Sequence, residues 1–166
     1  MQRVAIVGPG GAGKSTFADE LGRRTGISVV HLDQYFWKPN WVPTPRDEWR
    51  ELQVGLFSGD RWIADGNYGG TLDARLSRAD TVIVLTLPRW QCTWRAFKRS
   101  LQHRGEAIQA EGCPERFDLK FLWWVWRYPI DSRPRLNQAI DRFRERLNVV
   151  ELDSTSAART FLDQVS

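Results

Sequence analysis

The sequence predicts an α/β fold in which a mostly five-stranded parallel sheet is covered by helices on both faces. Three observations carry that expectation: short apolar runs recur, helical patterns separate them, and glycine- or proline-rich turns close them. Residues 4–7 are an uninterrupted apolar run ending at glycines, as a central strand buried on both faces requires. A helix follows from Lys14, with Phe17 and Leu21 four apart and Gly22 or Gly26 as its stop. Residues 28–32 are the second expected strand. Between Tyr35 and Pro45 three prolines and two tryptophans predict a loop, and residues 47–57 resume a helical pattern closed by Ser58-Gly59-Asp60. Residues 62–64 read as the third strand, and the β-branched run 81–87, ended by Pro88, as the fourth. A helix over 92–101, a last strand at 149–152 and a closing helix over 156–165, with Ala157, Phe161 and Leu162 on one face, complete the alternation. Residues from about 102 to 135 break it with Gly105, Gly112-Cys113-Pro114, Pro129 and Pro134, so a helical lid insertion over the site is expected there.

The 166 residues suit one domain, and a composition of 42% hydrophobic and 27% charged residues excludes wholesale disorder. The longest apolar stretches, 82–87 and 121–126, have six residues, against the roughly 20 that a membrane-spanning helix needs. No signal peptide is read at the start, so the cytoplasm is the expected compartment. Cys92 and Cys113 are too few for a disulfide framework and fit a reducing environment. Net charge is +4, and all of the excess lies in residues 84–166, where fourteen basic groups face ten acidic ones. Twenty of the 24 basic residues are arginine, which favours bidentate contacts to phosphate or carboxylate. Both a polyphosphate substrate and nucleic acid fit that balance, the first with fewer assumptions.

Gly8-Pro9-Gly10-Gly11-Ala12-Gly13-Lys14-Ser15 matches the phosphate-binding pattern of glycine, four residues, then glycine-lysine-serine, set between a predicted strand and helix. Glycines are needed because backbone N–H groups must wrap phosphate oxygens in conformations that a Cβ obstructs. Gly8, Gly10, Gly11, Ala12, Gly13, Lys14, Ser15 and Thr16 are therefore the expected contacts of ATP, with Lys14 on the β and γ phosphates and Ser15 on Mg2+. Asp65, in Asp65-Gly66-Asn67-Tyr68, ends the third strand on the rim where open α/β sheets bind ligands. It is the candidate second magnesium residue, although Asp-Gly is also an ordinary turn signal. On the same rim Asp33 is a candidate general base, with a helix cap as the alternative.

Arg95 and Arg99 stand four apart on one helix face, and residues 89–105 hold no acid, so that face seeks an anion. Arg133 and Arg135 stand at the return of the insertion, where a closing lid would bring cations against the transferring phosphoryl group; a solvated face is the other reading. Trp37, Asn40, Trp41, Arg46 and Trp49 flank the loop opposite Asp33 and outline an acceptor pocket over residues 34–59. Trp123, Trp124 and Trp126 crowd one segment with Phe121 and Tyr128, which reads as core, lid or dimer interface. His31 and His103 have no second histidine at metal spacing and read as structural.

With these residues placed, the chain resembles the adenylate-kinase-like group of P-loop small-molecule kinases over nearly its full length. More narrowly it resembles the bacterial topology modulation protein family, on His31-Leu32-Asp33 with Trp37-Lys38-Pro39-Asn40-Trp41, on Asp65-Gly66-Asn67-Tyr68, on Leu87-Pro88-Arg89-Trp90 and on Glu111-Gly112-Cys113-Pro114-Glu115. The resemblance implies a three-layer P-loop NTPase fold, ATP, magnesium and a closing lid, with Arg95 and Arg99 where the group carries arginines for adenine and phosphate. Adenylate kinases follow their Asp-Gly with a phenylalanine, a proline and an arginine that grips a monophosphate, whereas this chain has Asn67-Tyr68-Gly69. Asp33-Gln34-Tyr35-Phe36 instead looks like the segment of uridine and nicotinamide riboside kinases in which an aspartate activates a hydroxyl. The expected activity is ATP-dependent phosphorylation of a small hydroxyl acceptor, with Asp33, Trp37, Arg46, Asp65, Asn67 and Tyr68 around the acceptor. A nucleoside monophosphate acceptor gripped by Arg46 or Arg75, and a DNA-associated ATPase, are the alternatives, and a homodimer is left open.

Overall fold

The five apolar runs form one parallel sheet, and the computed structural model describes residues 1–165. In chain order the elements are β1 (Arg3–Val7), α1 (Lys14–Thr25), β2 (Val29–His31), α2 (Leu32–Phe36), β3 (Trp37–Lys38), β4 (Val42–Pro43), α3 (Arg46–Leu56) and β5 (Trp62–Asp65). Then follow α4 (Leu72–Leu76), β6 (Thr81–Leu85), α5 (Arg89–Gln102), α6 (Leu119–Asp131), α7 (Arg133–Asp141), β7 (Asn148–Leu152) and α8 (Thr155–Gln164). The sheet order is β2-β5-β1-β6-β7, and every pairing is parallel.

Alternate strand residues serve opposite layers. Val4 and Ile6 of β1, Ile63 of β5, and Ile83 and Leu85 of β6 meet Phe17 and Leu21 of α1 and Leu162 of α8. Ala5, Val7, Ala64, Val82 and Val84 face the other way, against Trp49 of α3, Leu72 and Leu76 of α4, and Leu136 and Ile140 of α7. Truncating one of these fully buried aliphatics, such as Ile83→Ala, would cost about 2–5 kcal/mol. Parallel register brings the strands' carboxyl ends level: Ile6 pairs with Asp65, and Asp65 with His31. The phosphate loop, Asp65 and the residues after β2 thereby share one rim.

Three segments differ from the sequence reading. The second strand stops at His31 because Leu32 already begins α2 and is itself fully buried. Residues 35–45 are not simply a loop: β3 and β4 pair antiparallel, and Thr44 closes the ribbon by donating its N–H and hydroxyl to the Phe36 carbonyl at 2.8 and 2.7 Å. The expected helical insertion is irregular over residues 103–118 and helical only beyond. There α6 starts at Asp118, whose side chain accepts from the N–H groups of Lys120 and Phe121, and it buries Val125 and Tyr128. Pro129 lies near its last turn, where it costs one backbone bond and does not break the helix. Residues 119–131 thus line the cavity through Phe121, Leu122 and Trp124 and reach the core through Val125.

Candidate active site

The phosphate loop is shaped by close backbone approach. Gly11 has φ +75°, and a Cβ there would strike the Cys92 carbonyl of α5. Gly13, in the left-handed region, is the N-cap of α1, with no side-chain cap and no acid in the first turn, so the helix's free N–H groups and its positive end remain available to an anion. Lys14 donates its Nζ to the Pro9 carbonyl at 3.1 Å, folded back over the loop. Asn67 locks the loop's first residue from across the sheet edge: its Nδ2 donates to the Gly8 carbonyl at 2.7 Å and its Oδ1 accepts from the Gly8 N–H at 3.0 Å. Tyr128 of α6 donates to the same Oδ1 at 3.3 Å. Asn67, expected beside the acceptor, lines the cavity but spends its amide on the phosphate loop.

Asp65 is buried on this rim. Burial alone would raise its carboxyl, but the His31 hydrogen bond, the Lys14 charge and the Ser15 hydroxyl hold it below the ordinary carboxylate value. His31 faces two carboxylates, Nδ1 at 3.1 Å from Asp65 Oδ2 and Nε2 at 2.9 Å from Asp19 Oδ1. The Asp65 bond raises its pKa, burial opposes, and Asp19 adds to the rise, so the imidazolium is favoured. Oδ1 of Asp65 is buried with no protein partner. Among the described residues no group of three His, Cys, Asp or Glu side chains could hold a metal alone. An orphaned carboxylate oxygen beside Ser15 therefore fits a magnesium ion that draws most of its ligands from phosphates and water.

The aromatic side of the cavity is built on Tyr68. Its backbone lies in the left-handed region at φ +40°, and the guanidinium of Arg75, essentially inaccessible to solvent, holds it there. Arg75 donates to the carbonyls of Gly66 at 3.1 Å, of Asn67, and of Tyr68 at 3.5 Å. Burial pulls its pKa down to about 10, which leaves it charged. The Tyr68 ring rests on Phe36 and Trp49, with centroids 4.6 and 5.1 Å away, and its hydroxyl donates to Asp33 Oδ1. Burial, then the Asp33 charge, push the phenol far above its ordinary value, so it stays a donor. Trp37 packs edge-on against Phe36 and Trp41 at 4.8 and 5.5 Å.

One cavity of about 1450 Å3 joins these parts, larger than the roughly 300–1,000 Å3 usual for one small ligand. Gly10 to Thr16, Asp33, Trp37, Asp65, Asn67, Tyr68, Arg95 and Arg99 line it. Arg95 donates to the Thr155 hydroxyl at 3.1 Å, and Arg99 lies 3.3 Å from buried Glu115. Residues 103–118 roof the cavity and are fastened to the β3–β4 ribbon. The Asn40 N–H donates to the Gly112 carbonyl at 2.8 Å, the Trp41 indole to the Pro114 carbonyl at 2.9 Å, and the Cys113 thiol to the Lys38 carbonyl at 3.2 Å.

Three expected cations lie outside. Arg46 opens α3 on the exposed side and does not line the cavity. Arg133 and Arg135 are carried by α6 to the start of α7, beneath the opposite layer, where Arg133 pairs with Glu151 at 2.9 Å and Asn137 at 3.1 Å. Arg75 is no free phosphate grip, being spent on three carbonyls. The insertion supplies Arg116 to the cavity instead, and α8 supplies Arg159. Sequence reading missed these two and the His31–Asp65 pair; the pair depends on β2 lying beside β5, which strand order alone reveals.

No family model matches the chain. Over 111 residues it is 32% identical to adenylate kinase of Mycobacterium leprae, covering 65% of this chain and 60% of that enzyme. A 67-residue stretch is 31% identical to a UPF0313 protein of Bacteroides thetaiotaomicron, covering 36% of this chain and 11% of that protein. The chain thus spans less than two thirds of the curated relatives it matches. Among solved structures, shikimate kinase from Acinetobacter baumannii in complex with shikimate superposes with a TM-score of 0.60 at 16% identity, over 99% of this chain and 90% of that one. With its five-stranded parallel sheet and phosphate loop, the chain has the fold of the P-loop small-molecule kinases.

Proposed function

We propose that the protein is an ATP- and Mg2+-dependent kinase that phosphorylates a hydroxyl group of a small acceptor, as the likeness of Asp33-Gln34-Tyr35-Phe36 to the segment of uridine and nicotinamide riboside kinases implies. The observation that carries this reading is the Asp33–Tyr68 pair, a carboxylate oriented by a phenol in the same cavity as the phosphate loop. Arg46 and Arg75, the two arginines that the sequence offers for an acceptor phosphate, are exposed outside the cavity and committed to carbonyls, respectively. Lys14 and the free N–H groups of α1 bind the β and γ phosphates, and Arg95 and Thr155 flank the base. Magnesium, held through Ser15 and Asp65, neutralises phosphate charge when bound. Tyr68 occupies one oxygen of Asp33 and leaves the other to take the acceptor's proton as its oxygen bonds to phosphorus and ADP departs. Trp37 and Trp41 offer flat apolar walls, which suits a neutral ring-bearing acceptor such as a nucleoside.

Acceptor-dependent ADP release across nucleosides, nucleoside monophosphates and small polyols tests this directly. With the acceptor so found, Asp33→Asn lowers kcat by about 10²- to 10⁴-fold with ATP affinity nearly intact. Near-normal kcat in that variant, or a clear preference for nucleoside monophosphates, defeats the hydroxyl reading.

A further inference from the structure

Two helices of the site carry an apolar face on the side turned away from it. On α5, Trp90, Trp94 and Leu101 fall on one stripe at helical spacing and are 64, 59 and 53% exposed. On α6, Leu119, Trp123 and Ile130 fall on a second stripe and are 68, 62 and 55% exposed. The stripes are continuous: Phe97 meets Phe117 edge-on at 6.0 Å at one end, and the Arg89 guanidinium lies 4.4 Å over the Trp126 ring at the other. The inner side of α6 is apolar as well, with Val125 buried in the core and Phe121 packed on Gly10. With Lys120, Arg127 and Asp131 gathered on one flank, α6 is apolar on its outer side as well as its inner one, and among the described residues only the inner side is covered.

We infer that this α5/α6 face is the self-association surface of the protein, covered by the same face of a second copy across a two-fold axis. Size argues for it. At about 150–250 Å2 for a whole large side chain, the exposed fractions leave on the order of 500–900 Å2 of apolar surface, at or beyond the upper end of the roughly 300–600 Å2 patch of a typical monomer. A stable interface uses about 800 Å2 per partner. The cations beside the stripes stand at their margins and leave the tryptophan and leucine positions themselves uncharged. Arg127 is held by both oxygens of Asp131 at 2.7 and 2.8 Å, Arg89 is stacked on Trp126, and Lys98 and Lys120 only flank the stripes. Two copies of a helix pair meeting this way make a four-helix contact whose outer sides hold Arg95, Arg99 and Phe121 in the two cavities.

Sedimentation velocity on the full chain tests it. The wild type is expected at twice the mass of one chain, and Trp94→Glu and Trp123→Glu are each expected at one, with far-UV circular dichroism unchanged. Independently of any variant, dilution of the wild type should shift tryptophan emission to the red as the stripes meet water. A wild type that stays monomeric across its soluble range overturns the inference. So does a dimer that survives in both folded variants, or a monomer that binds phosphatidylglycerol vesicles or duplex DNA through these tryptophans.

Discussion

Tyr68→Phe isolates what the phenol does for Asp33. The substitution keeps the ring that packs on Phe36 and Trp49, and Arg75 still holds the left-handed backbone, so the fold should persist. What disappears is one hydrogen bond to a carboxylate, a class that nets about 1.5–3 kcal/mol. Asp33 is only partly buried and lines an open cavity, so water replaces part of that bond and the lower end, about 1.5 kcal/mol, applies. In kcat that is about tenfold. Steady-state ADP release at saturating acceptor should show this loss with the KM for ATP unchanged. Because Tyr68 acts through Asp33, the double variant with Asp33→Asn should lose no more than Asp33→Asn alone. Wild-type kcat in Tyr68→Phe, or fully additive losses in the double variant, refutes the argument.

Asn67→Ala removes both bonds to Gly8, which predicts about 1–3 kcal/mol less stability by chemical denaturation and a weaker KM for ATP, since the first turn of the phosphate loop loses its anchor. His31 has a folded pKa above its ordinary 6.5, so its contribution to stability is complete below pH 6.5 and fades as pH rises through the raised value. Melting temperature should therefore fall over that rise, and His31→Gln should flatten this part of the profile; an unchanged slope removes the His31–Asp65 ion pair from the account. Arg133→Ala should leave kcat within about twofold and cost about 0–1 kcal/mol of stability, whereas Arg116→Ala, inside the cavity, should lower kcat by more.

How far the sequence reached follows from what each residue's neighbours are. Residues 4–7 and the phosphate loop were legible because strand, loop and helix are contiguous, and Asp65 because it ends a strand. The sequence sets Asn67 on the rim but cannot show its bonds to Gly8, which lies 59 residues away at the end of the neighbouring strand. Arg75 looked like a free cation, since arginines are rarely buried. Its burial follows from Tyr68: a left-handed turn leaves three carbonyls without strand partners, and one planar guanidinium satisfies them. Beyond residue 118 the prolines suggest breaks, whereas α6 runs on to Asp131 because Pro129 falls in its last turn, where only one backbone bond is lost.

The three bonds between residues 38–41 and 112–114 tie together two segments that both contribute to the cavity lining. In the proposed kinase, an acceptor that drew the ribbon inward would also draw residues 103–118 across the cavity. Thermodynamic linkage then binds the two substrates: whatever factor the acceptor adds to ATP affinity, ATP must add to the acceptor's. Gly112 is what lets the two segments close on each other, because at φ +69° and against Pro39 a side chain there would push them apart.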